Sequence, residues 1–303
     1  MKKYLLSISF AIAITTASLA QRTPQASPSA TVMQAVGVTD FTVKYSRPSI
    51  KGRKVFADSS ILAPYNQLWR TGANYPTTFE SSTDFSFGGK KVAAGKYALF
   101  SIPAGAAWTV ILNKNTNDGT EGYKEGDDVA RITVVPTSSQ FTETFTIDFS
   151  DLTDSTANLN LKWSSLKAPV QITVETQTLT MTALNKAVAE KPEDPAVLQS
   201  AAGYLLSKGK DLSQALAMTD KSIGLKETYS NLWLKAQILN KLGKVSEALP
   251  IAQKALTLGS ASGDGAFVSF YKGQIEKGIS TMTAKLPAAK EAAASVVKGK
   301  KKK

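Results

Sequence analysis

Trp69-Arg70-Thr71-Gly72-Ala73-Asn74 places a guanidinium directly after an indole and four residues before a carboxamide. A guanidinium grips carboxylates through parallel N–H donors, and an indole offers a flat surface on which a ligand can stack. Trp69, Arg70 and Asn74 are therefore the candidate ligand-binding residues. The same segment has a structural reading, in which Arg70 pairs with an internal carboxylate, Trp69 fills the core, and Gly72 with Asn74 shapes a turn.

A second group is acidic: Asp118, Glu121, Glu125, Asp127 and Asp128 follow Asn113 in one polar stretch. Asn113, Asn115 and Asn117 have the alternate spacing of a calcium loop. However, Gly119 comes one place late for the sharp turn, and Lys124 stands where a bidentate Glu would close the cage, so a solvated polar loop is expected. A glycosidase needs two facing carboxylates. Glu80, Glu143 and Asp148 supply carboxylates but fall in no recognisable motif.

Several chemistries are excluded by composition. The chain has no His and no Cys, which removes Ser-His-Asp and Cys-His catalysis, His- or thiolate-bound zinc, haem and iron–sulfur clusters. Gly89 to Gly95 is one residue too long for a phosphate loop, and Tyr97 follows Lys96 where a hydroxyl for magnesium belongs. Ser164-Ser165-Leu166-Lys167 matches Ser-x-x-Lys without its partner motifs. No catalytic residue is assigned, and neither a metal nor a cofactor is expected.

The elements that must position these residues follow from periodicity. Phe41, Val43 and Tyr45 alternate with polar residues, as do Phe141, Phe145, Ile147 and Phe149, and then Leu159, Leu161 and Trp163. A period of two with one polar side predicts an antiparallel sheet with one wet face. Further segments near 31–36, 79–87, 96–102, 108–113, 129–135 and 170–176 bring the expectation to about nine strands. Gly88-Gly89 predicts a tight hairpin turn, and Pro103-Ala104-Gly105 a second turn. The fold expected for residues 31–176 is a β-sandwich or jelly roll.

After Thr176 the period becomes helical. Ala202-Gly203, Leu206 and Ala215-Leu216 align with Ala236-Gln237, Leu239 and Ala248-Leu249 at a shift of 33 or 34 residues. Small residues at the close-approach points of paired helices, at that period, predict a tetratricopeptide-like helical array over 178–285. An Ala/Lys-rich tail, 286–303, closes the chain.

The start of the chain reads as an export signal. Lys2 and Lys3 precede an apolar run from Leu5 to Ile14, and Ser18 and Ala20 suit cleavage before Gln21. Residues 1–20 are thus expected to be a signal peptide and 21–30 a flexible leader. The run is shorter than the roughly 20 residues a membrane-spanning helix needs, so no span is expected. The net charge of +12 sits largely at the ends: setting aside Lys2, Lys3 and the lysines from Lys298 to Lys303 leaves about +5. The tail has no interleaved aromatics, so no nucleic-acid partner is expected.

Trp69-Arg70-Thr71-Gly72-Ala73-Asn74, together with Ala94-Gly95-Lys96-Tyr97-Ala98-Leu99-Phe100-Ser101-Ile102-Pro103 and Trp108-Thr109-Val110-Ile111-Leu112-Asn113-Lys114, resembles the exported bacterial family of domain of unknown function 2911. The resemblance covers roughly residues 27–176, and the helical continuation is similar to an extension many members carry. It implies export to the periplasm or beyond, and no mechanism. Tyr75-Pro76 and Asp118-Gly119-Thr120 depart from the usual pattern.

The expected function is non-catalytic binding or scaffolding at the cell envelope, with the helical repeats taking a protein or peptide partner. Two other readings stay open: a carboxylate-dependent hydrolase or carbohydrate-processing enzyme, and small-ligand binding by the β-sandwich alone.

Overall fold

The structure, a computed structural model, describes residues 23–300, with side chains as far as residue 286. The expected signal peptide, 1–20, lies outside the described residues, as do the side chains of nearly all of the expected tail. The chain divides into two compact units, residues 1–176 and 177–303.

The first unit holds ten strands: β1 (Ser29–Val36), β2 (Thr39–Ser46), β3 (Thr77–Ser81), β4 (Phe85–Phe87), β5 (Lys90–Val92), β6 (Gly95–Ile102), β7 (Trp108–Asn113), β8 (Asp128–Val134), β9 (Thr137–Ser150) and β10 (Thr156–Thr173). They form two antiparallel sheets, ordered β1-β2-β3-β6-β7-β8 and β5-β4-β10-β9. Neighbours in sequence are neighbours in space except where the β4–β5 hairpin crosses to the second sheet. This meander, with one excursion, is a sandwich rather than the paired Greek keys of a jelly roll.

Alternation decides which faces meet. Phe41, Val43 and Tyr45 of β2 and Leu159, Leu161 and Trp163 of β10 are all buried in one apolar core. Across the two sheets Phe41 meets Phe85 edge-on at 5.5 Å and Tyr45 meets Phe145 at 5.8 Å. Aromatic pairs in this geometry add to the stabilisation from burial itself. Gly88 and Gly89 have φ of 53° and 86°, which turns β4 into β5 as their sequence requires.

Two expectations about strands need correction. Phe141 belongs to the inward-facing series by spacing, yet it is 63% exposed, because the Thr137–Thr142 end of β9 is largely uncovered. The segments expected near 158–163 and 170–176 are parts of one strand of 18 residues. Ser164, at φ 53°, sits at a bulge that shifts the β9–β10 register without ending the strand.

The second unit is six helices: α1 (Thr176–Glu190, beginning at the last residue of the first unit), α2 (Pro195–Lys208), α3 (Leu212–Leu225), α4 (Tyr229–Lys241), α5 (Val245–Ala261) and α6 (Lys272–Lys300), the last preceded by a π turn at Phe267–Tyr271. Asp194 caps α2 by accepting from Ala196 N and Val197 N, with Pro195 opening the helix and Gly209 closing it in the left-handed region. Thr228 and Asn231 form a capping box on α4. α2 packs on α3 and α4 on α5, and the starts of successive pairs lie 34 and 33 residues apart. Fully buried Ala202, Ala215, Ala236 and Ala248 let the paired helices approach closely. Among the described residues no helix is long and apolar enough to cross a membrane.

Candidate functional site

The Trp69–Asn74 segment hangs on the outside of β6. Trp69 N donates to Ser101 O at 2.7 Å and Ser101 N returns a bond to Trp69 O at 2.9 Å, a single bridge that fixes where the loop begins. The Trp69 indole turns inward among Phe56, Phe145 and Trp163, and its Nε1 donates to Gly72 O at 3.0 Å. At 5% exposure, its ring faces are taken up by the core. It works as an anchor for the loop rather than as a stacking platform.

Beyond the anchor the backbone is forced into sparsely populated conformations. Thr71 (φ 52°), Gly72 (φ 156°) and Asn74 (φ 61°) all have positive φ. A Cβ on Gly72 would lie 2.9 Å from Ser46 O, so the loop presses against β2 where only hydrogen fits. The hydroxyls of Thr71 and Ser101 bond at 2.9 Å, and Thr77 Oγ1 donates to Thr71 O at 2.7 Å. The Asn74 carboxamide donates to Ser27 O at 3.1 Å and to Ser46 Oγ at 3.4 Å, so it ties the loop down instead of facing outward.

Arg70 is partly buried, and its Nη1 donates to Asn74 O at 2.7 Å. Among the described residues no carboxylate pairs with it, so the internal ion pair allowed by the sequence does not form. The guanidinium lines a cleft of about 400 Å³ whose apolar wall includes Pro48, Ile61, Leu62 and Pro64, with Thr120 also at its edge.

The acidic stretch is turn structure. Asn113 Oδ1 accepts from Asn115 N, and Asn115 Oδ1 from Asn117 N and Asp118 N, so the alternate asparagines cap the loop backbone. Asp128 takes Asn113 Nδ2 at 2.8 Å, the Tyr123 hydroxyl at 2.8 Å and Arg131 Nη1 at 3.2 Å. Burial, and then the Asp128 bond, push Tyr123 up to about 12. Glu143 accepts from Lys51 N, while Asp148 accepts from Asn160 and pairs with Lys162. The carboxylates are thus held by separate partners, and among the described residues no group of three or more acidic side chains is placed to hold a metal ion.

The helical unit carries a groove of about 730 Å³ between α4 and α6 that reaches Leu206 of α2. Trp233, Ala236, Gly278 and Met282 form its floor, and a Cβ on Gly278 would meet the Trp233 ring at 2.3 Å. Lys241, Lys277 and Lys285 line it together with Gln237, Asn240 and Gln274, and no acidic side chain does. Lys285 Nζ lies 3.5 Å from Asn240 Oδ1.

Residues 27–172 match the family described as protein of unknown function (DUF2911). The sandwich is a DUF2911 domain. No curated protein and no solved structure matches the chain. The three segments that resemble the family all lie in the first sheet or the loop bridged to it: the DUF2911 domain's Trp69 loop bridges to β6, and β6 pairs with β7.

Sequence reasoning missed the lysines and carboxamides of the helical groove. A signal for them is present in the spacing. Gln237 and Lys241 stand four apart on α4, and Gln274, Lys277, Thr281 and Lys285 follow at three- and four-residue steps on α6, so each set shares one helix face. Phe56, which meets Trp108 at 4.5 Å within the DUF2911 core, was also missed, because the stretch from Arg47 to Leu68 has no regular period.

Proposed function

We propose that this is an exported, non-catalytic binding or scaffold protein of the cell envelope, whose tetratricopeptide-like helical array docks an acidic segment of a protein partner. The observation that carries this reading is the groove between α4 and α6, with three lysines and three carboxamides around an apolar floor and no carboxylate among its lining residues. An extended or helical segment with Asp or Glu near one or two apolar side chains complements it in both charge and polarity. The repeat of helix pairs at 33 to 34 residues supports a tetratricopeptide-like architecture, and concave surfaces of this kind serve as binding faces. Export rests on the segment from Lys2 to Ala20. The hydrolase reading gains nothing from the geometry, since its carboxylates are held by separate partners.

Fluorescence anisotropy with a labelled peptide alternating Glu and Leu tests the docking. The full chain binds it saturably and more weakly as salt rises. The Lys241→Glu/Lys277→Glu double variant binds at least tenfold more weakly, and a Lys/Leu peptide does not bind. Equal binding by the charge-reversed variant counts against the groove.

A further inference from the structure

We infer that the cleft beside Arg70 is a second binding site, independent of the helical groove, for a small monocarboxylate with an apolar substituent. The starting point is an arginine in an unusual situation. A partly buried guanidinium is normally matched by a carboxylate, yet Arg70 finds none among the described residues and gives one bond to the carbonyl of Asn74. That bond engages one of the five N–H donors of the fork and fixes the direction in which the group lies.

The loop that holds Arg70 is built for precision. Its start is bridged to β6 through Trp69 and Ser101, its middle is pressed on β2 at Gly72, and its end is tied by Asn74 to Ser27. Thr71 and Asn74 hold left-handed backbone throughout. Strain of this kind persists where the surroundings over-determine it, and it clusters at ligand clamps. Here the over-determined object is the placement of the guanidinium at the mouth of the cleft.

The rest of the cleft selects the ligand. Ile61, Leu62 and Pro64 offer an apolar wall, no acidic side chain lines it, and its volume of about 400 Å³ suits a small molecule. One guanidinium matches one carboxylate, whereas a dianionic phosphate calls for more donors than this lining supplies.

Chemical-shift titration of the full chain with phenylacetate, phenylacetamide and inorganic phosphate tests the site. Phenylacetate moves the resonances of the 70–76 loop saturably, and phenylacetamide and phosphate bind at least tenfold more weakly. Arg70→Leu weakens phenylacetate at least tenfold. Ile61→Glu does the same from an 80% exposed position where folding is not at stake, so loss of binding there is not loss of fold. Arg70→Lys keeps part of the affinity. Absence of saturable phenylacetate binding, a preference for phosphate, or equal binding by wild type and Ile61→Glu overturns the inference.

Discussion

Trp69 lies flat against Trp163, with ring centroids 5.6 Å apart and planes 15° from parallel. One belongs to the loop that carries Arg70 and the other to β10 of the second sheet, so the loop is nailed through the core. Truncating Trp69 to Ala removes that contact, a buried aromatic volume and the bond to Gly72. We expect a loss of about 3–5 kcal/mol in urea unfolding. A change below about 1 kcal/mol would place Trp69 outside the structural core.

Gly72→Ala tests the press of the loop on β2. Its φ of 156° and a Cβ position 2.9 Å from Ser46 O make any side chain a strain, with an expected cost of roughly 1–3 kcal/mol. Gly105→Ala is the control: nothing lies within 4 Å of its Cβ position, so its stability should stay within about 0.5 kcal/mol of wild type.

Alkaline unfolding should read two tyrosines. The bond from Tyr229 to Asp264, 2.6 Å, and then burial, push Tyr229 up to about 12, and Tyr123 is pushed to about 12 as well. A raised folded value means that stability is fully present below the ordinary tyrosine value of 10.0 and is lost as pH rises towards about 12. On the acid side, the Tyr229 bond holds Asp264 below the usual 3.8, so its contribution is present above 3.8 and fades as pH falls through the lower folded value. Thermal melts from pH 9 to 12 should fall more steeply for wild type than for Tyr229→Phe. Parallel curves would remove the pair from the account.

Export predicts a processed chain. Expressed with its first residues in a bacterium with an envelope, the protein should be recovered with Gln21 as its N-terminal residue by Edman degradation or mass spectrometry. Recovery of the intact Met1 form from the cytoplasm would count against export.

Much of the fold is legible in the sequence because one-sided burial leaves a period. β2, β6 and β7 fall where alternation places them, and Gly88-Gly89 turns because its residues permit positive φ. What is not legible comes from backbone events. The bulge at Ser164 makes two apparent segments one strand, and a polar serine pair gives no hint that pairing continues through it. Arg70 and Asn74 were recognised as a pair, but spacing cannot reveal that the guanidinium bonds the backbone oxygen of Asn74 while its carboxamide points away to Ser27. The groove lysines were passed over because a lysine on an exposed helix face looks the same whether it meets solvent or a partner. Only the packing of α6 beside α4 gathers Lys241, Lys277 and Lys285 around one hollow.

The central claim, that the helical groove docks an acidic segment of a protein partner, is tested most directly by site-specific photocrosslinking in cells that make the protein. A crosslinking residue at Gln237, in the groove, should give an adduct with a partner whose crosslinked segment, mapped by mass spectrometry, is rich in Asp and Glu. The same residue at exposed Glu247 on α5 should give none. Equal adducts from both positions, no groove adduct, or a crosslinked segment without acidic residues would contradict the account.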